Sequence, residues 1–144
     1  MLKKCVSAFF VLLLCLALLV IPQVLGEGLL FDAGETYIFY SGSSSSGAQV
    51  TLADGENAAR VKITVRSLTG ESTSYKEASA AFAQAEKYDA RLLFTESAGE
   101  VRNYYYYSPR LGGAVLLGGR AVNLHIAVRW QGAAVGSPLI FGGY

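Results

Sequence analysis

Beyond residue 26 the sequence has no cysteine, because Cys5 and Cys15 both fall inside one apolar run. Residues 27–144 therefore offer no disulfide, no catalytic thiol and no thiolate metal site. Folds of this size often lean on disulfides, so a hydrophobic core must hold this one alone. Histidine is almost as scarce: His125 is the single copy. No HxH, HExxH, GxSxG or SxxK spacing occurs, and neither a metal nor a cofactor is expected. Asn57, Asn103 and Asn123 all lack Ser or Thr two places on, which removes N-glycosylation. Net charge is also missing. Of 12 Lys and Arg against 11 Asp and Glu, Lys3 and Lys4 precede the apolar run, leaving the remainder acidic by one. That balance argues against nucleic acid or an anionic membrane surface as partner.

What is present begins with the first segment. Lys3-Lys4 is followed by Cys5–Ile21, apolar except for Ser7, and then by Pro22 and Val24-Leu25-Gly26. A basic start, an apolar core and a small-residue exit describe a secretory signal over residues 1–26. The alternative is an uncleaved anchor, since the run reaches the lower edge of the about 20 residues a spanning helix needs. Either way the remainder is expected outside the cytoplasm, with membrane contact only through this N-terminal segment. Cys15 follows Leu12-Leu13-Leu14, which is not a lipid-attachment context.

Residues 27–144 suffice for one domain. Residues 27–34 read as a loose lead-in. Tyr37–Tyr40 and Val50–Ala53 read as short strands around the Gly/Ser loop Ser41–Gly47, with a turn at Asp54-Gly55. Arg60–Leu68 alternates, Val61, Ile63 and Val65 against Lys62, Thr64 and Arg66, which predicts a half-buried strand ending in a Thr69-Gly70 turn. Ser74-Tyr75-Lys76-Glu77 has the form of a capping box. Behind it Ala78, Ala81, Phe82, Ala85 and Tyr88 share a stripe at helical spacing.

Ala90–Glu96 and Val101–Ser108 form a hairpin about Ser97-Ala98-Gly99. Ala114–Leu117 and Arg120–Trp130 flank a Gly118-Gly119 turn, where both positions tolerate positive φ. Ala133–Phe141, broken by Gly136 and Pro138, reads as an edge or bulged strand. The sum is an α+β fold: a mainly antiparallel sheet with one main Ala-rich helix, over about 75–88, packed on one face.

Tyr104-Tyr105-Tyr106-Tyr107 is the sharpest oddity. On a strand, Tyr104 and Tyr106 face one way and Tyr105 and Tyr107 the other. One pair is expected under the helix or in the core. The other either packs across strands or, with Arg102 nearby, offers the ring area and hydrogen-bonding tips of a binding surface. Arg129 and His125 share the more polar face of the long strand and join that candidate surface. His125 is expected as a structural, hydrogen-bonded or solvent-facing residue. Glu96 and Glu100 flank the hairpin tip. With His125 they are the alternative candidates for acid–base work on a wall polymer.

Val122-Asn123-Leu124-His125-Ile126-Ala127-Val128, followed by Val135-Gly136-Ser137-Pro138-Leu139-Ile140, resembles the closing strands of YwmB-like proteins. These form an exported family of Gram-positive bacteria with a fold likened to the TATA-box-binding protein. The resemblance implies an α+β sheet protein outside the membrane and assigns no catalytic residue. Together these features lead to the expectation of a non-catalytic binding domain of the cell envelope, with a glycan or a protein as partner. The alternatives are the hydrolase above or a structural partner pairing through an edge strand.

Overall fold

A computed structural model of the chain describes residues 10–15, 28–43 and 47–142. Residues 10–15 are helical and exposed, and among the described residues no helix is long and apolar enough to cross a membrane. The rest of the expected leader, and part of the Gly/Ser loop, lie outside the described residues.

In chain order the elements are β1 (Thr36–Ser41), β2 (Gln49–Asp54), α1 (Ala58–Thr64), β3 (Leu68–Tyr75), α2 (Ala78–Lys87), β4 (Arg91–Ala98) and β5 (Val101–Tyr107). Then follow β6 (Val115–Leu117), β7 (Arg120–Val122), β8 (Leu124–Arg129) and β9 (Gly132–Ser137). Seven strands make one antiparallel sheet in the order β2-β1-β3-β9-β8-β5-β4, while β6 and β7 form a separate hairpin. The α+β fold and its dominant antiparallel sheet are as the sequence implies.

Helix α2 lies over β3, β9 and β8. Its buried side chains include Ala81 and Ala85, small enough to let the helix axis approach the sheet closely. Beneath it one register row runs Tyr37, Thr73, Val135, Ile126, Tyr104 across five strands. Period two then places Phe39, Tyr75, Leu124 and Tyr106 on the same face, and all four are buried. Each large side chain taken out of water there contributes about 1.5–3 kcal/mol.

Several local expectations are overturned. Residues 58–64 are helix rather than strand. Asp54 Oδ1 accepts the Asn57 N–H at 2.9 Å and anchors the start of α1. The helical turn then buries Lys62 (8 % exposed) and leaves Ile63 65 % exposed, the reverse of the alternating pattern. Lys62 is held inside because its Nζ meets Glu71 Oε2 and the Gly28 carbonyl, each at 2.8 Å. Thr69-Gly70 is part of β3, not a turn. Ser74 also belongs to β3, and α2 starts at Ala78 behind Glu77 without a side-chain cap. The expected capping box is therefore absent.

The long strand Arg120–Trp130 is split at Asn123. Its amide accepts the Ser108 N–H (2.8 Å) and donates to the carbonyls of Ser108 (2.7 Å) and Leu111 (2.8 Å), tying down the loop after β5. The last strand is not an edge: β9 lies in the interior, and β2 and β4 are the edges. Its glycine at 136 answers to crowding from above rather than to an open flank.

The lead-in is not loose either. Phe31 is fully buried, and its carbonyl accepts the Tyr37 hydroxyl at 2.6 Å. The Asp32 carbonyl accepts Tyr75 Oη–H at 2.7 Å, and Leu30 N–H donates to Glu71 Oε1 at 2.9 Å. The short apolar run Leu29-Leu30-Phe31, too brief to carry a periodic pattern, packs against the core.

Candidate functional site

The sheet face opposite α2 carries the row Ile38, Ser72, Gly136, His125, Tyr105, Phe94. Part of it is covered by the chain's own tail. After β9 the chain doubles back, and Ile140 fills the space a side chain at 136 would need, since a Cβ there would stand 2.8 Å from Ile140 Cγ1. Phe141 packs edge-on against Tyr40 with centroids 5.2 Å apart and donates its N–H to Tyr40 Oη at 3.2 Å.

His125 sits under this tail, 7 % exposed. Its Nδ1 accepts the Ile140 N–H at 3.3 Å, so Nε2 carries the proton and donates to Asn103 Oδ1 at 2.9 Å. Burial holds the imidazole neutral and lowers its pKa to about 4. With both ring nitrogens engaged, it is a structural element of the face.

Beyond the tail the row becomes an aromatic stack. The Tyr105 ring lies 4.6 Å from His125 on one side and 4.6 Å from Phe94 on the other, with interplanar angles of 13° and 24°. The Arg120 guanidinium covers the far side of Phe94 at 5.5 Å and donates to the Leu93 carbonyl at 3.0 Å. Arg120 reaches there because Gly118 and Gly119, at φ +53° and +77°, fold β6 back on β7. Between sheet and hairpin opens a groove of about 480 Å³, lined by Phe94, Glu96, Tyr105, Leu117, Gly118 and Arg120. Tyr105 Oη reaches Glu96 Oε2 at 3.4 Å, and no ion pair joins Glu96 to Arg120.

The residues singled out from sequence divide over two faces. Tyr104 and Tyr106 point to the core, Tyr104 meeting Phe82 edge-on at 5.0 Å. Tyr105 and Tyr107 point away from α2, as the alternation requires, and Tyr105 is the one in the groove. Arg102 pairs with Val128 and so lies on the α2 side. Arg129 shares the face of His125 but borders a different hollow with Gln131, Ser74 and Glu35. Glu96 enters the groove, whereas Glu100 sits at the hairpin tip, about 17 Å along the strand from the Tyr105 row. Glu96, Glu100 and His125 are thus not brought together. Sequence reasoning missed Phe94, Leu117 and Arg120. The cross-strand register of the β4–β5 hairpin was the signal that would have found Phe94; nothing local announces Arg120.

The molecule is thus a mainly antiparallel α+β domain with an open, aromatic groove on the helix-free face. No protein-family model, curated protein or solved structure matches the chain.

Proposed function

We propose that this is an exported, non-catalytic binding domain of the cell envelope, and that it holds its ligand in the groove between β4–β5 and the β6–β7 hairpin. The observation that carries the reading is the continuous stack Arg120–Phe94–Tyr105–His125, whose first three members line that groove. Pre-stacked rings present apolar area with no ordering left to do on binding, which lowers the cost of association. Tyr105 is held in place from the neighbouring strand by the tail-clamped His125, stacked 4.6 Å away. Polar tips at Glu96, Tyr105 and Arg120 surround an apolar floor, the usual make-up of a recognition site.

The leader over residues 1–26 and the YwmB-like closing strands support an address beyond the cytoplasmic membrane. At that address, wall glycans and envelope proteins are the available partners. The test is co-sedimentation with envelope material. Tyr105→Ser should reduce the bound fraction at least several-fold, and although loss of two stacked contacts lowers the melting temperature, the variant should stay folded at the assay temperature, as its melting curve checks. Retention unchanged in Tyr105→Ser and in Leu117→Asp would refute the site.

A further inference from the structure

We infer that the groove takes an uncharged, polyhydroxylated ligand: one or two sugar rings of a neutral glycan. This rests on the binding reading above and specifies its ligand. The groove offers one carboxylate, Glu96, and one guanidinium, Arg120, on its walls, and the two are not paired with each other. A polyanion approaching Arg120 meets Glu96, and a polycation approaching Glu96 meets Arg120.

A cationic headgroup finds no free aromatic face either. Phe94 is covered by Arg120 on one side and Tyr105 on the other, and Tyr105 is covered by Phe94 and His125. What such stacked rings leave accessible is their edges, whose positive C–H rims suit oxygen lone pairs rather than cations. A sugar ring supplies those oxygens. It also supplies hydroxyl donors for the Glu96 carboxylate and the Tyr105 Oη lone pairs, and acceptors for the Arg120 N–H groups that Leu93 does not use. Its apolar C–H surface, or an acetamide methyl, fits against half-buried Leu117. The volume of about 480 Å³ and the open shape suit one or two rings of a longer chain.

The probe is soluble tetra-N-acetylchitotetraose, titrated into the full chain held in a polyoxyethylene detergent so that no sugar headgroup competes. Saturable binding is expected, changing less than about twofold between about 50 and about 500 mM NaCl, because no ionic contact is made. Arg120→Ala should weaken it at least tenfold. Arg120 is exposed, so the variant should keep its fold, checked by its melting curve. Glu96→Gln, which keeps a hydrogen-bonding oxygen but loses the charge, should stay within about threefold; a zwitterionic peptide end would lose far more. Binding that ignores Arg120→Ala and Leu117→Asp would overturn the assignment. So would steep salt dependence, or a loss greater than tenfold in Glu96→Gln. No binding of the oligosaccharide, with envelope material still retained through Tyr105, would overturn the glycan inference and leave the binding reading standing. Loss of both would end both.

Discussion

Protonation of His125 should unlatch the C-terminal tail. In the folded protein its Nδ1 accepts the Ile140 N–H and its Nε2 donates to Asn103, an arrangement only the neutral ring can make. Protonation turns Nδ1 into a second donor facing a donor. The folded pKa, about 4, lies below the unfolded value of 6.5. Between the two values the unfolded chain binds the extra proton and the folded chain does not. The contribution is therefore complete above about pH 6.5, shrinks as pH falls, and is gone near pH 4. A gap of this size corresponds to about 3 kcal/mol. Acid acts on the rest of the protein as well, so the informative quantity is a difference. Urea unfolding midpoints from pH 7 to pH 4 are measured for the parent and for His125→Gln. The parent should lose about 3 kcal/mol more than the variant across that range. Parallel pH profiles would show that the tail does not keep the His125 ring from taking up a proton in the folded protein.

Other consequences are simpler. Lys62→Met leaves the fully buried Glu71 carboxylate without its cation and should cost about 3–5 kcal/mol in chemical unfolding at pH 7; a loss under about 1 kcal/mol would mean that water reaches the pair. Phe31→Ala should cost about 3–5 kcal/mol, which a thermal melt would detect, because the lead-in closes the core. Asn123→Ala removes three buried hydrogen bonds and should raise proteolytic cutting between β5 and β6 while leaving the sheet intact.

The sheet was largely legible from strand-forming composition and turn residues. Tyr37–Tyr40 is an apolar run stopped by the Gly/Ser loop, the β4–β5 hairpin brackets Ser97-Ala98-Gly99, the Gly118-Gly119 turn carries its own φ signature, and Leu124, Ile126 and Val128 show clean period two on the core face. Arg60–Leu68 reads as strand because β-branched Val61, Ile63 and Val65 alternate by chance, although Ala58–Thr64 is helix. The deciding fact, an ion pair from Lys62 to a strand beyond the helix, is tertiary. For the same reason β9 looked like an edge. Its glycines mark close approach by Ile140 and by the Tyr75 carbonyl, which would lie 2.5 Å from a Cβ at Gly132.

At the candidate site, alternation separated Tyr105 and Tyr107 from Tyr104 and Tyr106. It could not bring in Arg120, which reaches Phe94 only through the fold-back of a separate hairpin. Arg102 illustrates the converse: a neighbour in sequence that the pleat sends to the opposite face.

The most direct test of the groove is site-specific photocrosslinking in the envelope. A photoreactive residue replaces Leu117, at the groove wall, or Trp130, which is 80 % exposed at the opposite end of β8. Crosslinks to envelope material should form from position 117 and not from position 130. The reverse pattern would contradict the assignment of the binding face.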